Sequence, residues 1–134
     1  MVSCVLDRIN TPADLRELTG TELEALAEEI RRLIIDTVSA NGGHMASNLG
    51  VVEITLALHR VLDSPKDQIV WATSNQSYAH KLVTGRAGTF GSLRQPGGLS
   101  GFAAREESPH AVSYTHLRAH ETRHDLVCRL LLEK

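Results

Sequence analysis

Gln68-Ile69-Val70-Trp71, followed by Ala72-Thr73-Ser74-Asn75-Gln76, is the stretch of sequence that most directly indicates the fold class. Its first part is a short apolar run bounded by polar residues, which is typical of a buried parallel strand. The polar run then leads into a helix predicted over about 76–83 and stopped by Gly85. A strand that enters a helix through a polar loop is a building unit of α/β folds. We therefore expect an α/β domain that is mostly helical here, with one short strand.

Two longer helices are predicted before this strand. A capping box at Thr21-Glu22-Leu23-Glu24 and apolar residues at helical spacing predict an amphipathic helix over about 22–39. Asn41-Gly42-Gly43 would end it. A second, more apolar helix is predicted over about 49–62, with Ser47 or Asn48 as its N-cap. One strand does not make a sheet, so we expect most of the domain to be missing from this sequence.

Composition narrows the class of protein. The chain has 134 residues, 42% of them hydrophobic and 22% charged, which is ordinary for a globular protein. A formal net charge of −2 argues against a nucleic-acid surface. No apolar run approaches the roughly 20 residues that cross a bilayer. Two cysteines at opposite ends argue against a disulfide framework, so we expect a cytoplasmic protein without membrane or nucleic-acid partners.

The turn between the two predicted helices, Gly42 to Gly50, is the first candidate site. Glycines let a ligand approach the backbone closely, and the start of the next helix favours an anion. His44 could move a proton or contact a phosphate near neutral pH. The alternative is a plain interhelical turn with a solvent-facing histidine, and local spacing alone favours that alternative.

The polar loop after the predicted strand is the second candidate site. In parallel α/β sheets, ligands bind beyond the carboxyl ends of strands, where Asn75 would lie. The alternative is an ordinary loop in which Ser74 or Asn75 caps the helix. Lys81 and Arg86 could bind a substrate phosphate, although such charges are more often solvated. Glu106 and Glu107 are predicted to be surface charges.

Five strings of sequence together resemble one family. They are Leu6-Asp7-Arg8-Ile9-Asn10, Gly42-Gly43-His44 through Gly50, His80-Lys81-Leu82-Val83-Thr84-Gly85-Arg86, Leu93-Arg94-Gln95 through Gly101, and Arg105-Glu106-Glu107-Ser108-Pro109-His110. In order and spacing they are similar to the start of the 1-deoxy-D-xylulose-5-phosphate synthases, which are transketolase-like thiamine-diphosphate enzymes. Each string alone is a weak signal, and the joint match covers essentially residues 4–111.

The resemblance implies a transferase that uses thiamine diphosphate and Mg²⁺. It would condense pyruvate with glyceraldehyde 3-phosphate, release carbon dioxide and form 1-deoxy-D-xylulose 5-phosphate, a precursor of isoprenoids, thiamine and pyridoxal. The parent enzyme would be a cytoplasmic homodimer. The Gly-Asp-Gly metal motif and the catalytic glutamate of the family are absent from this sequence, so no metal ligand is assigned and the chain as it stands is expected to be inactive.

Three residues are carried over from the resemblance. His44 matches the family histidine that faces the reacting centre, and Ser47 in the same turn is assigned to the substrate. Asn75 stands where the family usually has a histidine that touches the cofactor diphosphate. Asparagine can donate a hydrogen bond to a phosphate but cannot become cationic. The alternatives are therefore another transketolase-type enzyme with a different acceptor, or a non-catalytic paralogue that acts as a binding protein.

The last part of the chain is interpreted as non-native. Residues 112–134 match the translation of a transposon-type sequencing adapter at every position except the pair encoded by its variable index. His116, His120, His124 and Cys128 would line one face of a helix, like ligands of a transition metal, but under this interpretation their spacing is accidental. We therefore expect a truncated diphosphate-binding-type domain over 1–111 and an adapter-derived tail over 112–134.

Overall fold

A computed structural model of the chain describes residues 3–71 and 75–112. Within these ranges the fold consists of four α-helices joined by shorter helical turns. The α-helices are α1 (Gly20–Asn41), α2 (Ala46–Leu49), α3 (Val52–Val61) and α4 (Tyr78–Lys81). The 3-10 turns span Leu6–Arg8, Pro12–Glu17, Ala87–Ser92 and Arg105–Glu107, and a wider turn at Leu82–Arg86 continues α4.

Helix α1 is the longest element and follows the predicted pattern, but its cap differs. The Thr19 hydroxyl accepts a hydrogen bond from the Glu22 N–H (3.2 Å), and the Glu22 carboxylate accepts one from the Thr19 N–H (2.9 Å). The capping box predicted at Thr21–Glu24 is therefore wrong. The sequence contains two overlapping Thr-x-x-Glu frames, and Thr19 caps because its backbone is extended.

The end of α1 agrees with the prediction. Gly42 has a φ of +79°, and its N–H donates to the Val38 carbonyl (2.8 Å). A positive φ is a conformation that glycine adopts without steric cost. The glycine pair thus turns the chain sharply toward α2.

The second predicted helix is confirmed as α3, which begins about three residues later than predicted, and a separate short helix, α2, precedes it. Helix α2 ends at Leu49, and α3 begins at Val52 after a break at Gly50 and Val51. Val51 precedes α3 without a side-chain cap, so the prediction that Ser47 or Asn48 caps a helix over 49–62 is wrong. Both residues lie inside α2, and Asn48 uses its side chain elsewhere.

The predicted strand is not confirmed. Among the described residues, the segment Gln68–Trp71 forms only a single parallel bridge, between Val70 and Val112. Ile69 and Trp71 are buried whereas Val70 is 37% exposed, so the segment alternates like a strand with one covered face. A ladder needs a neighbouring strand, and within the described part only Val112 forms a bridge with this segment.

The core lies between α1, α3, α4 and the N-terminal turns. Its buried members are mostly aliphatic, as the low aromatic content predicts. They include Leu6, Leu15, Leu26, Ile30, Ile34, Val52, Leu56, Tyr78, Leu82, Phe90 and Leu93. In the described part of the chain, no helix is long and apolar enough to cross a membrane. The predicted tail falls outside the described residues except for Val112, which is buried.

Candidate active site

His44 follows directly on the glycine turn that ends α1. Its backbone N–H donates to the Tyr78 hydroxyl at 3.3 Å. The preceding residue, Gly43, has a φ of +140°, and a Cβ placed there would lie 2.7 Å from the same hydroxyl. Only glycine fits this approach, because any side chain would push Tyr78 away.

The His44 imidazole is partly covered by aromatic rings. The Phe102 ring meets it edge-on with a centroid distance of 5.4 Å, and the Tyr78 ring lies 6.5 Å away. Its Nδ1 atom is buried and has no hydrogen-bond partner among the described residues. A buried polar atom without a partner is rare in folded proteins, so this nitrogen is a candidate to contact a ligand.

Asn48 forms hydrogen bonds to both candidate loops. Its side-chain amide nitrogen donates to the carbonyl of His44 (2.7 Å) and to the carbonyl of Asn75 (2.8 Å). Its side-chain oxygen accepts from the Tyr78 N–H at 3.0 Å. The structure therefore brings together His44 and Asn75, which lie 31 positions apart in the sequence.

Ser47 and Asn75 are both half-buried near this junction. Ser47 precedes Asn48 in α2, and Asn75 lies three residues before α4. The structure thus places all three predicted site residues in one region. Their roles toward cofactor and substrate stay predictions, and Ala72 to Ser74 lie outside the described residues.

Lys81, Arg86 and Glu107 form a buried ion cluster, against expectation. The Glu107 carboxylate accepts from Lys81 Nζ (2.6 Å), from Arg86 Nη1 (2.8 Å) and from the Ser100 N–H (2.7 Å). The Lys81 ammonium also donates to the Phe102 carbonyl (2.8 Å). The prediction that Glu107 is a surface charge is wrong. Lys81 and Arg86 are not solvated, because tertiary packing brings a carboxylate to them.

Burial and pairing act in opposite directions on this cluster. Burial lowers the pKa of Lys81 and of Arg86, while the contact with Glu107 opposes that effect. For Glu107, burial alone would raise the pKa, but hydrogen bonds from Lys81 and the Ser100 N–H bring it below its usual value. The cluster holds the glycine-rich loop, and with it Phe102, next to α4 and His44.

A buried pair of histidines lies between α3 and α4. His59 Nε2 and His80 Nδ1 are 2.8 Å apart, and His80 Nε2 is 2.9 Å from the His110 carbonyl. Since a carbonyl only accepts, His80 Nε2 carries the proton and His59 Nε2 donates to His80 Nδ1. Burial lowers the pKa of His59 to about 4 and that of His80 to about 3, so both are neutral. Sequence reasoning missed this pair; the one available signal was His59 within a largely apolar helix.

Other features lie apart from His44. A groove of about 600 Å³ between the N-terminal turns and α1 is lined by Cys4, Asn10, Arg32 and neighbours, and not by the predicted site residues. No group of three potential metal ligands occurs in the ranges 3–71 and 75–112. The convergent polar contacts around His44, rather than the volume of this groove, mark the candidate site.

Comparison with known proteins points to one family. A family model described as 1-deoxy-D-xylulose-5-phosphate synthase matches residues 6–120. The chain is 60% identical over 109 residues to the 1-deoxy-D-xylulose-5-phosphate synthase of Dehalococcoides mccartyi, which covers 81% of this chain and 17% of that protein. It is 65% identical over 106 residues to the synthase of Desulfitobacterium hafniense, covering 79% and 17%. With synthase 2 of Geobacter sulfurreducens the identity is 60% over 111 residues, covering 83% and 18%.

The matches cover most of this chain but only a small part of each relative. The chain spans about a sixth of the length of the curated relatives it matches. The family model extends beyond Ala111 into the segment interpreted as adapter-derived. The boundary at Val112 therefore stays a prediction.

Proposed function

Because this chain belongs to the 1-deoxy-D-xylulose-5-phosphate synthase family, we propose that it is the N-terminal part of an enzyme that makes 1-deoxy-D-xylulose 5-phosphate. The parent enzyme would condense pyruvate with glyceraldehyde 3-phosphate and release carbon dioxide. It would be a cytoplasmic homodimer that supplies a precursor of isoprenoids, thiamine and pyridoxal. The alternative acceptors of other transketolase-type enzymes are less well supported, since the curated relatives bear the synthase name.

The observation that best supports a catalytic role is the setting of His44. Its peptide is held by Tyr78 and Asn48, and its ring contacts Phe102, yet Nδ1 has no partner among the described residues. An imidazole that is packed against an aromatic ring and has one unsatisfied nitrogen is suited to proton transfer or to a hydrogen bond with a substrate oxygen. We assign it to that role.

The residues present fit part of a thiamine-diphosphate site. When bound, this cofactor supplies a stabilised carbanion, and the protein supplies orientation and proton transfer. The unpartnered Nδ1 of His44 would face the reacting centre, Ser47 would contact substrate and Asn75 would contact the diphosphate. Mg²⁺ would need ligands beyond the described residues, which contain no suitable cluster.

Asn75 also motivates the second candidate function. A family histidine at this position can be cationic, whereas an asparagine cannot, so a paralogue that binds a ligand without catalysis would tolerate this residue. Product formation separates the two candidates.

The test uses the full-length parent protein that carries residues 1–111. We expect product from pyruvate and glyceraldehyde 3-phosphate, and a loss of kcat of about 100-fold or more for His44→Gln, in line with loss of a proton-transferring group. His59→Gln, which alters a histidine of the buried pair, is the matched control and should retain most of the activity. A parent protein that binds thiamine diphosphate but forms no product would favour the binding paralogue.

A further inference from the structure

Asn48 is fully buried and uses every polar function of its side chain. Its two N–H bonds go to the carbonyls of His44 and Asn75, and its oxygen accepts from the Tyr78 N–H. The contacts reach back four residues and forward 27 and 30 residues. One side chain therefore joins the turn after α1 to the loop before α4.

We infer that Asn48 is a positioning residue, which sets the separation between His44 and the Asn75 loop and thereby couples the substrate side of the site to the cofactor side. This inference rests on the proposed function, because it assigns those two sides to His44 and Asn75. Asn48 does not act as a helix cap. It lies inside the four-residue helix α2, and its amide bonds to the turn after α1 and to the loop before α4.

The main chain of His44 is held at both of its polar groups. Its N–H donates to the Tyr78 hydroxyl, and its carbonyl accepts from Asn48. Both partners are themselves joined, because the Tyr78 N–H donates to Asn48. The Asn48 amide is therefore the direct hydrogen-bonded link between the carbonyl of Asn75 and the carbonyl of His44.

Only a carboxamide satisfies this arrangement. Two carbonyls require two donors, and the Tyr78 N–H requires an acceptor, all on one short side chain. An ionised aspartate has the same shape but offers no donor, and would face two carbonyl oxygens. A serine offers one donor on a shorter side chain. Loss of a partner at a buried site leaves the remaining polar groups unsatisfied.

The kinetic test uses Asn48→Asp in the full-length parent enzyme. At pH 8 we expect kcat to fall about tenfold or more and the Kd for thiamine diphosphate to rise several-fold, since small misplacements of reacting groups carry large kinetic penalties. Burial beside two carbonyl oxygens should raise the pKa of the introduced carboxyl, so lowering the pH to 6 increases its protonated fraction, which can donate to one carbonyl. The ratio of variant to wild-type kcat should then rise, whereas the same ratio for Asn48→Ser, which has no titrating group, should not change with pH.

Asn41→Asp is the matched control. The Asn41 amide also bridges two carbonyls, those of Gly91 and Leu93, each at 2.9 Å, but it does not join His44 to Asn75. We expect this variant to lose thermal stability while its kcat and its cofactor Kd stay within about twofold of wild type, because Asn41 shares no hydrogen-bond partner with Asn48. If Asn48→Asp fails to fold, Asn48→Ser replaces it and should lower kcat at pH 8 without recovery at pH 6.

A second readout does not depend on activity. Hydrogen exchange of backbone amides, measured without cofactor, should be faster in Asn48→Asp for both the 44–46 and the 75–78 segments, and for neither in Asn41→Asp. If the wild-type parent forms no product, the proposed function fails, and exchange alone decides the coupling between the two loops. Unchanged exchange in either segment, or unchanged kcat and Kd in an active parent, would overturn the inference.

Discussion

Residues in the candidate site are held by backbone contacts more than by side-chain pairing. His44 is fixed through its N–H and its carbonyl, which leaves the imidazole Nδ1 without a partner among the described residues. Asn75 is likewise tied by its carbonyl to Asn48. This arrangement fixes the main chain of both residues, and it leaves the imidazole Nδ1 of His44 unsatisfied within the described part of the chain.

At the residue scale, the first prediction concerns Asn75. If its side chain contacts the cofactor diphosphate, Asn75→Leu should weaken thiamine-diphosphate binding by about 1.5–3 kcal/mol, the value of a hydrogen bond to a charged group. Asn75→His should bind as well as the parent or more tightly. Titration calorimetry on the full-length protein measures all three affinities. Equal affinities would mean that this loop does not touch the cofactor.

The elements that surround the site are, in chain order, α1 with the glycine turn, α2, α4 and the glycine-rich loop. The loop has little regular structure of its own, and the Glu107 cluster attaches it to α4 through Lys81 and the Ser100 N–H. The Glu107 side chain is only 12% exposed and that of Lys81 is fully buried. Removing one member of such a cluster leaves an uncompensated buried charge.

At the element scale we predict that Glu107→Gln destabilises the fold by about 3 kcal/mol, as observed when one partner of a buried ion pair is removed. Glu106→Gln is a matched control, because Glu106 is exposed on the same turn, and it should change stability by less than about 0.5 kcal/mol. Urea unfolding followed by circular dichroism compares the two variants. Equal effects would show that the Glu107 cluster contributes no more than a surface charge.

The whole molecule combines a packed core with several exposed apolar side chains. Ile54 and Val61 on α3 are 56% and 81% exposed, and Phe102 is 49% exposed. Trp71 Nε1 and His59 Nδ1 are buried without a partner among the described residues. These features agree with a chain that spans about a sixth of its curated relatives.

The buried histidine pair makes the stability of the whole molecule dependent on pH. The folded-state pKa values, about 4 for His59 and about 3 for His80, lie below the unfolded value of 6.5. Between these limits the unfolded chain binds more protons, so stability is fully present above pH 6.5 and is lost as the pH falls toward 4. Each histidine should contribute a loss of roughly 1.4 kcal/mol per pH unit within that range.

Urea unfolding at pH 7.5 and pH 5 measures this loss. His59→Gln preserves a donor to His80 and removes one titrating group, so its stability should fall about half as steeply with pH. The same pH dependence in wild type and variant would mean that other groups control the acid sensitivity.

The chain of 134 residues should show no synthase activity by itself. It lacks the metal motif and catalytic glutamate of the family, and the cofactor could not be held or activated without them. Purified chain incubated with pyruvate, glyceraldehyde 3-phosphate, thiamine diphosphate and Mg²⁺ should form no product. Any product that depends on His44 would contradict this prediction.

The interpretation of the C-terminal segment as adapter-derived leads to a separate prediction. If it is adapter-derived, resequencing the locus should show a reading frame that continues past His110 into a Gly-His-Ser-like motif. Deleting 113–134 from this chain, while retaining the buried Val112, should leave the free energy of unfolding unchanged. A genome that encodes the segment, or tight zinc binding by His116, His120, His124 and Cys128, would contradict the adapter interpretation.

Sequence by itself determined the features that depend on neighbouring residues. Helical spacing and the glycine pair predict α1 and its end correctly, and the five family strings are sufficient to identify the family. These signals are local, because caps, turns and amphipathic faces are set within one or two helical turns. The position of the cap at Thr19 and the break between α2 and α3 were less predictable, since competing local choices differ by little energy.

Tertiary structure alone decided how distant residues meet. From the sequence, Asn48 is predicted to be a possible helix cap, Glu107 a surface charge and His59 a residue of an apolar helix. In the structure each of them makes buried contacts with residues at least 20 positions away. Burial changes what such groups do, because a polar side chain removed from water must find its partner within the fold. The strand shows the same dependence: an apolar run becomes a strand only where a neighbour supplies hydrogen bonds, and here Val112 supplies a single bridge to Val70.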